Sequence, residues 1–204
     1  MSGFKGIDTC TIYDFETMSQ NPVDGVVVSF AMLNYDPNRF ASENPYTYQE
    51  LLDKCHFMKF DVADQIKNYN RKIEKSTVEW WSKQSKEAQA KIAPRPDDKS
   101  ISELHGFFVV NRATNLEKVY TRRNTFDPIF MTSLMKATGN PEPYAWWDVR
   151  DTISYIEGLS YGVELDPGFI PEGLEGYFVK HDPCHDIAMD VMRMQALVQA
   201  VTAF

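Results

Sequence analysis

The stretch Thr9-Cys10-Thr11-Ile12-Tyr13-Asp14-Phe15-Glu16-Thr17 decides how the rest of the chain is read. Thr9 to Phe15 has the apolar density of a buried strand. Strand side chains alternate faces, so Asp14 and Glu16 point one way while Tyr13 and Phe15 point the other. Two carboxylates side by side at the end of an apolar strand repel each other, and a cation between them removes the repulsion. A solvated strand end gives the same pattern, because D-x-E arises by chance about once in a chain of this size.

Working outward, Val26 to Asn34 (VVVSFAMLN) predicts a second strand, with turn chemistry from Pro22 and Gly25 between the two. Phe57 to Phe60 suits a third short strand, and Asp61 to Tyr69 a short helix. Ser76-x-x-Glu79 has the form of a capping box opening a helix that Pro94 and Pro96 stop after Ile92. A helix over Ile101 to Arg112, a strand over Lys118 to Arg122 and a helix over Pro128 to Ala137 follow. Ala145 to Trp147 suits another strand, with a short helix from Arg150 to Ile156. Gly158 to Gly176 is turn-rich. Asp182-Pro183 opens the last helix, whose Ile187, Val191, Met194, Val198 and Val201 share one apolar face. Strands first, then strands and helices interleaved, predict one α/β domain over residues 1–204, a mixed sheet flanked by helices.

The 204 residues carry a net charge of −8, with 43% hydrophobic and 25% charged residues, an ordinary balance for a soluble enzyme. That charge argues against indiscriminate coating of nucleic acid, but not against a nuclease whose bound cations supply positive field where phosphate sits. No apolar run approaches the roughly 20 residues of a membrane span, so no membrane partner is expected. Cys10, Cys55 and Cys184 are widely spaced and odd in number, which predicts neither a zinc site nor a disulfide framework and favours a reducing cytoplasm.

Two further stretches carry chemistry. Asn124-Thr125-Phe126-Asp127 opens a helix, where an aspartate before Pro128 also has the ordinary role of a cap. His185-Asp186-Ile187-Ala188-Met189-Asp190 opens the last helix, and Asp190 borders its apolar face, where a carboxylate needs a partner or a metal. His185 is off-phase with Asp190 on a regular helix. Asp186 shares a face with Asp190 and is a rival ligand, as His181 is a rival for His185.

D-x-E ending a first strand, N-x-x-F-D opening a middle helix and H-x-x-x-x-D opening a last one resemble the DEDDh exonucleases of the DnaQ-like superfamily, whose fold is RNase H-like. Ser76-Thr-Val-Glu-Trp-Trp-Ser-Lys-Gln-Ser-Lys-Glu-Ala, Trp-Asp-Val-Arg-Asp-Thr around Arg150 and the His185 stretch resemble the subgroup of phage exonuclease A and the RNase AS-type exoribonucleases. The resemblance implies a metal-dependent 3'-5' exonuclease. Asp14, Glu16, Asp127 and Asp190 would hold two divalent ions, Mg²⁺ or Mn²⁺, and His185 would serve as general base.

Thr17 and Met18 are expected to meet the terminal sugar or base. Asn124 and Phe126 join them beside Asp127, and Trp80 or Trp81 would stack on a base while the other anchors its helix. Phe126 and both tryptophans have core packing as the plainer alternative. Lys118, Arg122 and Arg123 are candidates for phosphate contact. Lys67, Arg71, Lys72 and Lys75 read as a solvated face. Arg150 and Asp151 suggest a structural ion pair.

The expected partner is the 3' end of a single-stranded nucleic acid, DNA favoured over RNA. A homodimer is plausible by resemblance, and the setting would be the host cytoplasm if the chain is phage-encoded. Two other readings remain: a catalytically silent RNase H-like binding module, and a phosphohydrolase acting on small nucleotides.

Overall fold

In the computed structural model, which describes residues 7–161 and 163–203, five strands form one mixed sheet. They are β1 (Cys10–Thr17), β2 (Val27–Tyr35), β3 (His56–Lys59), β4 (Lys118–Thr121) and β5 (Val149–Asp151), in the order β3-β2-β1-β4-β5. β1 is antiparallel to β2, and β2 to β3, whereas β4 runs parallel to both β1 and β5. The helices are α1 (Tyr48–Asp53), α2 (Val62–Tyr69), α3 (Lys75–Trp81), α4 (Lys86–Ile92), α5 (Leu104–Asn111), α6 (Asp127–Thr138), α7 (Thr152–Leu159) and α8 (Pro183–Thr202). None of them is long and apolar enough to cross a membrane.

The period-two alternation of β1 divides the core in two. Tyr13 and Phe15 pack with Phe30, Leu104, Phe108, Phe130 and Leu134, the face covered by α5 and α6. Ile12 belongs to the opposite cluster, with Leu33, Ile187, Val191 and Met194, the face covered by α8. Asp14 and Glu16 continue the Ile12 face, so the fold directs them toward α8.

β1 also outruns its parallel neighbour. The β1–β4 register ends at Ile12 opposite Tyr120, leaving the last residues of β1 open on that side. On its other side the register with β2 slips between Glu16 and Thr17, which pair with Ser29 and Val27, so Val28 is an extra residue in β2. Such a bulge bends a strand and leaves backbone groups without ladder partners. Gln65 of α2 supplies them: its Oε1 accepts from Val27 N at 3.0 Å and its Nε2 donates to Val27 O at 2.7 Å. The turn back from β1 needs Gly25, because a Cβ there would lie 2.5 Å from the carbonyl oxygen of Asn21.

Four sequence expectations change. The single helix from Ser76 to Ile92 is two, because Ser85 caps α4 by accepting from Ala88 N at 3.1 Å. No capping box forms: Ser76 lies inside α3, whose N-cap is Glu74. The strand expected at Ala145–Trp147 falls instead at Val149–Asp151, preceded by a 3-10 turn at Trp146–Asp148. Asp151 caps α7, accepting from Ile153 N and Ser154 N, and Arg150 bonds to backbone carbonyls rather than to Asp151.

Gln65→Leu keeps the side chain's volume but leaves a buried N–H and a buried carbonyl at Val27 unsatisfied. At about 1–3 kcal/mol for each such group, the loss in urea unfolding should reach about 2–6 kcal/mol. A loss within about 0.5 kcal/mol would mean that the bulge does not depend on Gln65.

Candidate active site

The two ends of β1's open edge are closed by carboxylates from different elements. Asp127, first residue of α6, does not cap its own helix through its side chain; the N-cap is Phe126, with no side-chain bond. Asp127 Oδ1 instead accepts from Phe15 N at 3.2 Å, the backbone group that β4 is too short to reach. From the α8 side comes Asp186. One ligand atom each of Glu16, Asp186 and His181 lies within 4.8 Å of the others.

Glu16 and Asp127 are buried, and Asp14 and Asp186 partly so. Burial and mutual repulsion act on all four. Burial first, then Asp127, Glu16, Asp186 and Asp190, push the Asp14 carboxyl well above its usual range. Burial and the charge of Asp186 do the same to Glu16. Asp127 is pushed up to about 8, mainly by burial and against the bond from Phe15. Asp186 is pushed up to about 7 by burial and Asp190, although His181 N donates to its Oδ2. Among the described residues no lysine or arginine makes an ion pair with any of the four. Oxygen donors in this number without a protein counter-charge fit divalent hard cations.

Asp190, one helical turn beyond Asp186, has the opposite status. It is 2% exposed, and its Oδ1 is held by Arg122 at 2.5 Å and Arg193 at 2.7 Å while Oδ2 accepts from Thr152 Oγ1 at 2.9 Å. Arg122 therefore does not stand free for phosphate; it is tied to Asp190 and to the Pro167 carbonyl.

His185 lies outside the acidic group. Its Nδ1 is 2.9 Å from the Tyr48 hydroxyl of α1, and its ring packs edge-on to Tyr48 at 5.8 Å. His181 occupies the position beside Glu16 that the sequence reading gave to His185. Its backbone sits at φ 65°, a left-handed conformation uncommon outside glycine, held by the bond from its N–H to Asp186. The signal for this pair was in the sequence: around the start of α8, H-x-x-x-x-D occurs as His181/Asp186 and again as His185/Asp190, four residues apart.

A cavity of about 190 Å³ opens next to Glu16, lined by Thr17, Gln20, Thr77, Trp80, Trp81 and Phe126. Trp81 is the anchor of the pair, buried, with Nε1 donating to Thr17 O at 2.9 Å. Trp80 is 42% exposed and rests edge-on against His181 at 4.7 Å, leaving part of its ring to a ligand. Phe126 packs edge-on against Phe130 at 5.0 Å and also faces the cavity.

Met18 lines a different cavity, of about 410 Å³, with Val78 and Pro94, and serves through its backbone to hold Val26 and Glu74. Asn124 accepts from the Thr121 hydroxyl at 3.0 Å and borders a third cavity, of about 610 Å³, beside the exposed Trp146 and Trp147. The sequence reading missed both tryptophans.

The cysteine expectation is corrected as well. Cys55, just after α1, and Cys184, in the first turn of α8, are joined in a disulfide with their Cα atoms 5.9 Å apart, although 129 residues separate them in sequence. Packing of α1 on α8 makes the pair, which spacing alone does not reveal. Cys10 is buried and free.

Residues 9–192 match the family described as the 3'-5' exoribonuclease Rv2179c-like domain. The chain belongs to this 3'-5' exonuclease family. It is also 30% identical to the exodeoxyribonuclease of Enterobacteria phage T4, over 90% of this chain and 86% of that protein. Its fold resembles exonuclease I. A product-bound structure matches 97% of this chain with a TM-score of 0.54 and 16% identity, and a zinc-bound E. coli enzyme with single-stranded DNA matches 97% with 0.56 and 15%. The chain spans 44% and 41% of those two proteins, so the likeness is one of fold, RNase H-like.

A carboxyl titrating near 7–8 in the fold and near 4 when unfolded keeps more protons on the folded side between those values, so metal-free stability falls as pH rises through them. In EDTA the melting temperature should drop between about pH 5 and pH 8.5. Asp127→Asn should flatten that drop, and Mg²⁺ or Mn²⁺ should reverse it at the upper end. A profile unchanged by both would remove the acidic cluster as its cause.

Proposed function

We propose that the chain removes mononucleotides stepwise from the 3' end of single-stranded DNA, by hydrolysis that needs two divalent cations, Mg²⁺ or Mn²⁺. The observation that carries this reading is the unpaired carboxylate cluster of Asp14, Glu16, Asp127 and Asp186 opening beside a cavity walled by Trp80 and Phe126. Asp14, Glu16, Asp127 and the α8 face carrying Asp186 and Asp190 would hold the cations. When bound, such ions polarise the phosphate and acidify the attacking water. DNA is preferred over RNA because the T4 relative is an exodeoxyribonuclease along most of its length, although the family description is that of an exoribonuclease.

The chain's own groups then divide the work. Trp80, Thr17 and Phe126 seat the terminal nucleotide so that its phosphate meets the carboxylate end of β1. His181 accepts the proton of the attacking water. Partial burial and Lys180 hold its imidazole below the usual range, so it is neutral and able to accept near pH 7. Water oxygen bonds to phosphorus, the bond from phosphorus to the 3' oxygen of the penultimate nucleotide breaks, and a 5'-mononucleotide leaves.

The register one turn further along α8, His185 with Asp190, is a second reading, favoured by the reach of the Asp190 charge to both Asp14 and Asp127. It requires His185 to leave Tyr48 and Asp190 to exchange its arginines for cations.

The test is a time course with 3'- and 5'-labelled single-stranded DNA and RNA, with Mg²⁺, Mn²⁺ or EDTA, across wild type and variants. Asp14→Ala should abolish stepwise loss from the 3' end. His181→Ala and Asp186→Asn should lower kcat by about 10²-fold or more, whereas His185→Ala should cost far less. The reverse order between the two histidines transfers the site to the second register. Binding without any shortening of either polymer would make the chain a silent nucleic-acid-binding module. Release from dinucleotides only would make it a small-molecule phosphohydrolase.

A further inference from the structure

Away from the carboxylates, α6 borders a cavity of about 430 Å³ on its outer side, lined by Asp24, Tyr69, Arg71, Ser133 and Lys136 among others. Arg71 is only 4% exposed. Its Nε donates to the Gly25 carbonyl at 2.7 Å and one terminal nitrogen to Ser133 Oγ at 3.0 Å. The other terminal nitrogen is buried and has no partner.

Among the described residues no carboxylate makes an ion pair with Arg71 or with Lys136. Asp24 lies on the same wall, but its carboxylate is engaged by Lys72 at 2.5 Å and Asn21 at 2.8 Å. Asp24 favours the charged form of Arg71 without an ion pair to it, but burial outweighs that and lowers the guanidinium to about 10. A buried guanidinium with no ion-paired carboxylate and an unpartnered N–H is costly. Arg71 lines the cavity with one terminal nitrogen unpartnered, and a guanidinium N–H suits a phosphate oxygen, with the Lys136 ammonium as second contact.

We propose that this cavity is a phosphate-binding site, separate from the catalytic one, in which Arg71 and Lys136 hold a single phosphate group. The group is either a backbone phosphate of a bound strand or the phosphate of a free mononucleotide. Ser133, already bonded to Arg71, stands on the same helix face as Lys136 and fixes the guanidinium against α6.

The site is tested without catalysis. In EDTA the carboxylate cluster has no cations through which to bind an anion, so phosphate binding there reports the Arg71 cavity. Calorimetry and thermal melts with inorganic phosphate, against chloride at equal ionic strength, should show one saturable site and a raised melting temperature. Lys136→Glu, at an exposed position that leaves the core alone, should weaken that binding about tenfold or more. Arg71→Lys should weaken it too, and if that variant does not fold, Lys136→Glu decides alone.

Displacement of phosphate by a short single-stranded oligonucleotide but not by dAMP assigns the site to the strand. Displacement by dAMP assigns it to the free nucleotide, and either result supports the site. No binding beyond chloride, or binding undiminished in Lys136→Glu, overturns it. Because none of these readings needs strand cleavage, an inactive protein would leave the proposal standing, and an active one would not rescue it.

Discussion

Carboxylates that repel one another are gathered at the end of β1, where among the described residues no lysine or arginine makes an ion pair with them, and much of the architecture serves to keep them there. The period-two geometry of the strand puts Asp14 and Glu16 on the α8 face. The shortness of β4 leaves Phe15 N free to draw Asp127 in from α6. The bulge at Val28 turns the strand end, and Gln65 fills the hydrogen bonds the bulge opens. Each device places a negative group where electrostatics alone would not. A fold tolerates this when a ligand removes the repulsion, which is the part the proposed cations would play.

Asp186 and Asp190 make the contrast within a single helix. Both project from α8 toward β1, one turn apart. Asp190 is enclosed by Arg122, Arg193 and Thr152, which take up its carboxylate oxygens, although its charge still reaches Asp14, Asp127 and Asp186. Asp186 receives one backbone N–H and otherwise faces Glu16 and the imidazole of His181. Arg193 also clamps the Gly168 and Phe169 carbonyls, so the Asp190 network fixes the loop before α8 as well as the helix. Asp190 thus sits in an ion-pair network, whereas among the described residues Asp186 has no lysine or arginine ion-paired to it.

Local patterns in the sequence carried most of the fold. Alternation in β1 and β2, the Asp182-Pro183 helix start and the apolar stripe of α8 all depend on neighbours within one turn or strand, and the structure has them within a residue or two. What the sequence left hidden depends on partners far away in the chain. The choice between two overlapping H-x-x-x-x-D registers turns on Tyr48 from α1 and Arg122 from β4's end, 137 and 68 residues away. The Cys55–Cys184 pairing and the Trp81 anchor on Thr17 are equally non-local. Ser76-x-x-Glu79 failed as a cap because Glu74 took the N-cap position, its carboxylate also accepting from Gln20 N.

The basic residues show the same limit and sharpen the functional picture. Arg71 and Arg122 read in sequence as surface charges suited to solvent or phosphate. In the fold Arg71 is buried under α6 and Arg122, like Arg193, is bound to Asp190. With these cations turned inward in a chain of net charge −8, the outer surface has little to draw a polyanion from a distance. Recognition of a nucleic-acid end must then be short-ranged. In the proposed mechanism, the exposed part of Trp80, the cavity beside Glu16 and the cations the carboxylates would hold act only on a strand that has already arrived.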